Sequence, residues 1–319
     1  MNGPGVIPVA DNRPAPVSGH GLPRGGKPWF RALRPFSYPA SLLPFVLAVT
    51  MTGVAAGRRW DLAAAGFVGV LLMHSMGNLL NDVFDHRYRV DTRVDDENRR
   101  PGRFLVKGIM VPRDIMLEAG VCALLLAPVA AYLLWQAGWP VLAFGAAGVG
   151  GGYAYTGPPF KFKYRAMGEA TIFAVFGPLL MIGAAFIQTG RLEVPVMLVS
   201  VPVGMMVTAI LAAGSLRDLD EERAARITTL SQILGRTGMK AMYLALLSLP
   251  PILIAGLVIG GFVTPWALMS LAVLMPGAIL AKAAVRGAVP QDFDAQTARL
   301  ALTPFVGLLI IAQIVAGGA

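Results

Sequence analysis

From Phe36 to the C-terminus, apolar stretches of 18 or more residues recur along the chain, separated by short polar windows. Each stretch is long enough to cross roughly 30 Å of hydrocarbon as a helix. The pattern predicts nine helices, at about residues 36–56, 61–80, 115–136, 140–155, 168–188, 194–214, 239–260, 263–281 and 298–316. Glycine and proline inside several of them are compatible with a span, because neighbouring helices re-satisfy the freed backbone groups. The expected fold class is therefore all-α, a polytopic membrane protein. Residues 1–28 carry Pro4, Pro8, Pro14, Pro16 and Pro23 among glycines, read as a disordered tail, and lack the apolar core of a signal peptide. Residues 29–319 read as one transmembrane domain.

Composition agrees. The 319 residues are 55% hydrophobic and 14% charged, with a mean hydropathy of +0.63. A soluble domain averages about 25% charged, which excludes a soluble globular enzyme. Nine spans put the termini on opposite sides, and lysine plus arginine then choose the cytoplasmic face. With the N-terminus inside, only Arg58, Arg59 and Arg191 lie outside, leaving 24 of the 27 basic residues at the inner face. The net charge of +9 thus reflects loops facing anionic lipid headgroups, and no soluble basic domain exists to suggest a nucleic-acid partner. No obligate protein partner is implied either. The single cysteine, Cys122, lies in an apolar run and makes no disulfide framework or cysteine metal site.

Of 18 acidic residues, six lie between Asp82 and Glu97 and four between Asp218 and Glu222. Both windows fall at inner helix ends, four spans apart. In the first, Asn81 and Asp85 are i and i+4 if the second helix continues past its apolar part, and Asp91 follows six residues later. In the second, Asp218 and Glu222 repeat the i, i+4 spacing. Carboxylates one turn apart repel unless a positive group lies between them. Magnesium suits such a place, since it takes a few carboxylates and completes its shell with water and phosphate oxygens. Arg87, Arg99, Arg100, Arg103 and Lys107 flank the first window, Lys161, Lys163 and Arg165 sit in an intermediate loop, and Arg217 and Arg223 flank the second. Metal plus arginine is a recipe for diphosphate. His86 reads as a bystander beside Asp85, as do His20 in the tail and His74 in the second helix.

A third cluster runs from Gly151 through Tyr153, Tyr155, Phe160, Lys161, Phe162, Lys163 and Tyr164 to Glu169. Aromatics interleaved with lysines at an inner helix end are either interface anchors or rings that flank a carbocation while a lysine holds phosphate.

The order and spacing of these motifs resemble the UbiA-type intramembrane prenyltransferases. The resemblance rests on Arg34-Pro35-Phe36-Ser37, on Asn81-Asp82-Val83-Phe84-Asp85, on the stretch from Tyr155 to Glu169, and on Arg217-Asp218-Leu219-Asp220-Glu221-Glu222-Arg223 followed by Thr228-Thr229-Leu230. It covers nearly the whole chain. It implies nine helices around a central cavity, capped on the cytoplasmic side by two acidic loops that bind prenyl diphosphate through Mg2+. Carried over by position, Asp85, Asp91, Asp218 and Glu222 would hold metal and Asn81 would orient the first pair. Arg34, Arg100, Lys163 and Arg217 would bind diphosphate, and Tyr155 would flank the cation. Glu222 stands where the family usually has aspartate. The six-residue step to Asp91, with Phe176-Gly177-Pro178-Leu179 and Gln188-Thr189-Gly190, resembles the branch that prenylates 1,4-dihydroxy-2-naphthoate for menaquinone. The expected reaction is transfer of a polyprenyl group from a prenyl diphosphate to an aromatic acceptor, in a bacterial or archaeal inner membrane with the site open to the cytoplasm. Rivals are another acceptor (4-hydroxybenzoate, a chlorin or a glyceryl ether lipid) and, from another class, an ion-coupled transporter, which calls for acids near the bilayer midplane.

Overall fold

The computed structural model describes residues 26–52, 59–88, 104–105, 108–224 and 228–317. Among these it is helical throughout. A short helix α1 (Gly26–Ala32) leads into α2 (Pro39–Met51), α3 (Trp60–Arg87), α4 (Pro112–Ala137) and α5 (Pro140–Thr156). Then follow α6 (Gly168–Thr189), α7 (Val194–Ala224), α8 (Leu230–Ile259), α9 (Pro265–Arg286) and α10 (Phe293–Gly317). Each expected span overlaps one of α2–α10. Seven of these helices are long and apolar enough to cross a bilayer alone, and the 27–51 segment, bent by 56° before Pro39, makes an eighth. The 17 residues of α5 rise only about 25 Å, so helix length by itself does not establish nine crossings among the described residues.

Burial sorts the helices. The apolar window of α7 is 67% buried and that of α4 only 22%, so α7 is the helix the others surround and α4 faces lipid. Leu124, Leu125, Ile259 and Met275 are exposed on lipid-facing surfaces, where no hydrophobic penalty applies. Four of the five tryptophans, Trp60, Trp135, Trp139 and Trp266, are exposed at helix ends on the side assigned as outer. There an indole keeps its ring in the bilayer and its N–H wet.

Two helices run past their apolar parts. Charged residues end the hydropathy signal near Leu80 and Gly214, yet α3 continues to Arg87 and α7 to Ala224. This extension carries both acidic windows on regular helix, so Asn81 and Asp85, and likewise Asp218 and Glu222, do lie one turn apart. Inside α6 the turn Val175–Leu179 widens to π geometry, where Pro178 has no N–H to give. At that level Gly177 meets Gly204 of α7 backbone to backbone. A Cβ added at Gly177 would stand 2.6 Å from the Gly204 Cα and 2.8 Å from the Ser200 carbonyl oxygen. Small residues permit this approach between membrane helices.

Gly177→Val is expected to force α6 off α7 and cost about 2 kcal/mol or more, by overpacking against backbone that cannot yield. Gly256→Ala, with nothing within 4 Å of its added methyl, is expected to be neutral. Thermal midpoints of the two variants in the same detergent check this, the first falling by several degrees and the second holding.

Candidate active site

The helices line a chamber of about 1170 Å³ that reaches the helix ends carrying the two acidic windows. Along α3 its wall runs from Gly66 to Asp85, a rise of about 28 Å, close to the thickness of the hydrocarbon. The deep part is apolar. Glycines keep it open: Gly145 and Gly77 have no neighbour within 4 Å of a would-be Cβ, and Gly148 meets only the Met73 sulfur at 3.8 Å.

The inner end is ionic. Arg34, Asn81, Asp85, Tyr155, Lys163, Arg217, Asp218 and Glu222 all border the one chamber, although the two acidic windows lie 133 residues apart in the chain if counted from Asp85 to Asp218. Asp85 is buried and its Oδ2 accepts from Lys163 Nζ at 2.7 Å, while the Tyr164 hydroxyl donates to Oδ1. The charge of the same lysine also favours the ionised form of Glu222. Asp218 receives Arg217 through Nε at 2.8 Å and Nη2 at 3.0 Å. Arg217 in turn gives Nη1 to Asp294 at 2.6 Å and to the Gln291 carbonyl at 3.0 Å, fastening α7 to the start of α10. Glu222 Oε2 accepts from the hydroxyls of Thr229 at 2.8 Å and Ser231 at 2.5 Å. Burial pushes its carboxyl up, the two hydroxyls and Lys163 hold it back, and the neighbouring Asp218 adds to the rise.

The loop after α5 delivers Lys163 and Tyr164. Its backbone turns through left-handed Lys161 (φ 51) and Ala166 (φ 57), and Ala166 N–H donates to the Thr228 carbonyl at 3.1 Å. That bond ties the loop to the chain just beyond the second window. Tyr153 packs edge-on against Phe84, and Lys161 lies 4.0 Å over the ring of Tyr88, the residue after α3, in a cation–π contact, so both pack on the end of α3. Tyr155 and Lys163 face the chamber, with the Tyr155 hydroxyl in electrostatic reach of Lys163, Glu169, Asp85 and Glu222.

Of the residues singled out in the sequence, Asp91 and Arg100 lie outside the described residues. Asn81 stands on the chamber wall but, among the described residues, its side chain hydrogen-bonds to neither window; Lys163 and Tyr164 hold Asp85 instead. Arg34 borders the chamber while paired with Asp82, whose role the sequence left open. Sequence reasoning missed Asp294 and Gln291, which lie at a helix start with no acidic cluster. It named Tyr164 and Glu169 within the third cluster without a role; the first holds Asp85 and the second is buried with Ser215 Oγ at 3.3 Å. His74, read as a bystander, borders the chamber.

The anionic ligand atoms at the mouth are the carboxylate oxygens of Asp85, Asp218 and Glu222. Among the described residues no three His, Cys, Asp or Glu side chains converge on one point, so a closed tetrahedral site is absent there. One or two carboxylates from each of two helices suit a hard octahedral cation that draws its remaining oxygens from phosphate and water. Magnesium is of that kind.

The UbiA prenyltransferase family profile matches residues 42–303. The chain belongs to that family. UbiA prenyltransferase domain-containing protein 1 of Ailuropoda melanoleuca is 33% identical over 226 residues, covering 69% of this chain and 64% of that protein. The aligned part thus spans a little under two-thirds of that curated relative. Among solved structures, the apo UbiA homolog from Aeropyrum pernix K1 superposes with a TM-score of 0.63 at 19% identity, covering 88% of this chain and 98% of the other. The UbiA homolog from Archaeoglobus fulgidus bound to GPP and Mg2+ gives 0.60 at 13% identity, covering 92% and 100%. The solved structures share the fold, the profile gives the family, and the long apolar helices fit an integral membrane protein. The relative is an animal protein not named for naphthoate, so neither the expected prokaryotic membrane nor the acceptor branch gains support from it.

If Lys163 is the cation shared by both windows, Lys163→Met is expected to weaken binding of inorganic diphosphate, in excess magnesium, by about 10- to 100-fold, the worth of one charged hydrogen bond. Lys161→Met, whose ammonium lies over Tyr88, is expected to change it less than threefold. Calorimetric titration of both variants checks the contrast.

Proposed function

We propose that this chain transfers a polyprenyl group from a prenyl diphosphate to 1,4-dihydroxy-2-naphthoate, with magnesium, at a site facing the cytoplasm. The observation that carries the reading is the single chamber with an ionic mouth and an apolar depth: diphosphate fits the one and a hydrocarbon tail the other. The naphthoate acceptor draws on the Asp85-to-Asp91 spacing and on the Phe176–Leu179 and Gln188–Gly190 segments. Orientation draws on the basic residues, 24 of 27 of which fall at the inner face of the nine-span reading. A carrier fits less well, since the acids gather at the mouth rather than at mid-depth.

Magnesium, when bound, withdraws electron density from the diphosphate and neutralises charge on the leaving group. Asp85, Asp91, Asp218 and Glu222 would hold it, with Asn81 beside the first window. Lys163, Arg217, Arg34 and Arg100 hold diphosphate oxygens and take up the charge that grows as the allylic C–O bond breaks, its electron pair leaving with diphosphate. The cation left on carbon faces the Tyr155 ring. A ring carbon of the acceptor supplies a π pair to form the C–C bond, and the arenium proton passes to the departing diphosphate. The apolar walls exclude the water that would quench the cation.

Asp85→Asn and Asp218→Asn are each expected to lower transfer at least 10³-fold while leaving gel-filtration profiles unchanged, and EDTA is expected to abolish transfer reversibly. A radiolabelled prenyl diphosphate offered with naphthoate, 4-hydroxybenzoate, a chlorin and a glyceryl ether lipid identifies the acceptor. Normal turnover by either variant in excess magnesium refutes the metal assignment.

A further inference from the structure

One face of α3 carries a polar stripe into the apolar part of the chamber. His74, Asn78, Asn81 and Asp85 are spaced i, i+4, i+7 and i+11, and all four border the chamber. The last two belong to the diphosphate end. Asn78 is one turn deeper, and its amide is held rigidly: Nδ2 donates to the Leu33 carbonyl at 3.0 Å and to Ser37 Oγ at 3.0 Å. A carbonyl can only accept, so the contact with Leu33 fixes which way the amide points. Oδ1 therefore turns away from the link between α1 and α2. It has no partner among the described residues and is not sealed from the chamber.

Behind Asn78 stands a support of the same kind. Ser37 Oγ lies 3.1 Å from His74 Nε2, and Ser41 Oγ lies 2.7 Å from Nδ1. The imidazole is wedged between Tyr38 and Phe176, ring centroids 5.5 and 5.2 Å away. Polar groups at this depth are costly unless they are paired. Bonds within the cluster and to the carbonyls of Leu33, Arg34 and Tyr38 occupy its members and leave over one acceptor, on a residue that lines the chamber.

We propose that Asn78 positions the aromatic acceptor, its Oδ1 taking the hydrogen of a ring hydroxyl. The inference rests on the prenyl-transfer reading above. An oxygen that only accepts requires a donor, and of the two substrates the prenyl diphosphate has none: its tail is hydrocarbon and its phosphates are ionised. Only a hydroxylated ring supplies an O–H. Asn78 lies seven residues, about 10 Å, along α3 from Asp85. That interval accommodates the leaving phosphate and the allylic carbon, so a ring held at Asn78 stands next to the carbon it attacks. The residue makes and breaks no bond; it orients the ring and draws electron density toward it. Ser37 and His74 act through Asn78 as positioning residues.

The test uses the full chain in lipid nanodiscs with magnesium, a prenyl diphosphate, and as acceptors 1,4-dihydroxy-2-naphthoate and its two mono-O-methyl ethers. The parent protein is expected to prefer the free hydroxyl over one of the ethers by about 30-fold or more in kcat/KM, because a site built to bind O–H rejects the analogue lacking it. Asn78→Ala is expected to raise the acceptor KM about tenfold, keep the prenyl diphosphate KM within twofold, and erase most of that preference. Ser37→Ala is expected to shift both in the same direction by less, and it decides the matter if Asn78→Ala does not fold. Unchanged preference and acceptor KM in the folded variants overturn the inference and leave the prenyl-transfer reading intact, as does a parent that does not discriminate between hydroxyl and ether. A parent that prenylates no hydroxylated ring overturns both.

Discussion

A carboxylate at the edge of a hydrocarbon layer keeps its charge only beside a cation or several donors, and most of the structure serves that requirement. Asp85 has Lys163 and Tyr164, Asp218 has Arg217, Glu222 has Thr229 and Ser231, and Asp82 has Arg34. Each partner comes from a different stretch of chain or is fixed by one. Pairing the acids therefore means folding four separate segments onto the mouth of one chamber. The cations gathered for the carboxylates are of the kind that bind phosphate oxygens, so under the proposed function the arrangement that pairs the acids also serves an anionic substrate.

This explains why the apolar walls can be so plain. With the charged chemistry confined to one end, the deep chamber needs only space and dryness, which the glycines of α3 and α5 provide by omission. The exception is the cluster of Ser37, Ser41, His74 and Asn78. Its members bond one another and the nearby carbonyls of Leu33, Arg34 and Tyr38, save for the Asn78 Oδ1, and a membrane interior does not retain such an arrangement without cost.

Much of this was legible in the sequence, for identifiable reasons. Apolar runs long enough to span a bilayer are strong signals, and each expected span overlaps a helix. The paired acids stood out because the rest of the chain is so poor in them. Other features left no local trace. The inner turns of α3 and α7 carry charged residues, which lower hydropathy where the helix in fact continues. Arg217 meets Asp294 across 77 residues, and Asp294 is one acid among ordinary loop residues. The split between Tyr153, packed against Phe84, and Tyr155, on the chamber wall, depends on two positions of helical phase at the end of α5. His74 looked idle because its partners, Ser37 and Ser41, lie on the preceding helix and its approach.

The contact between Ala166 and Thr228, with that between Arg217 and Asp294, bears on biogenesis. Helices that insert one after another from the ribosome would place the first acidic window in the bilayer long before the residues that complete its surroundings exist. Until the loop leading into α8 is made, the strap carrying Lys163 has no backbone partner to latch to, and until α10 begins, Arg217 has no second carboxylate. The early helices thus enter the membrane as an unfinished vessel, whose mouth is closed only by contacts that the later part of the chain supplies.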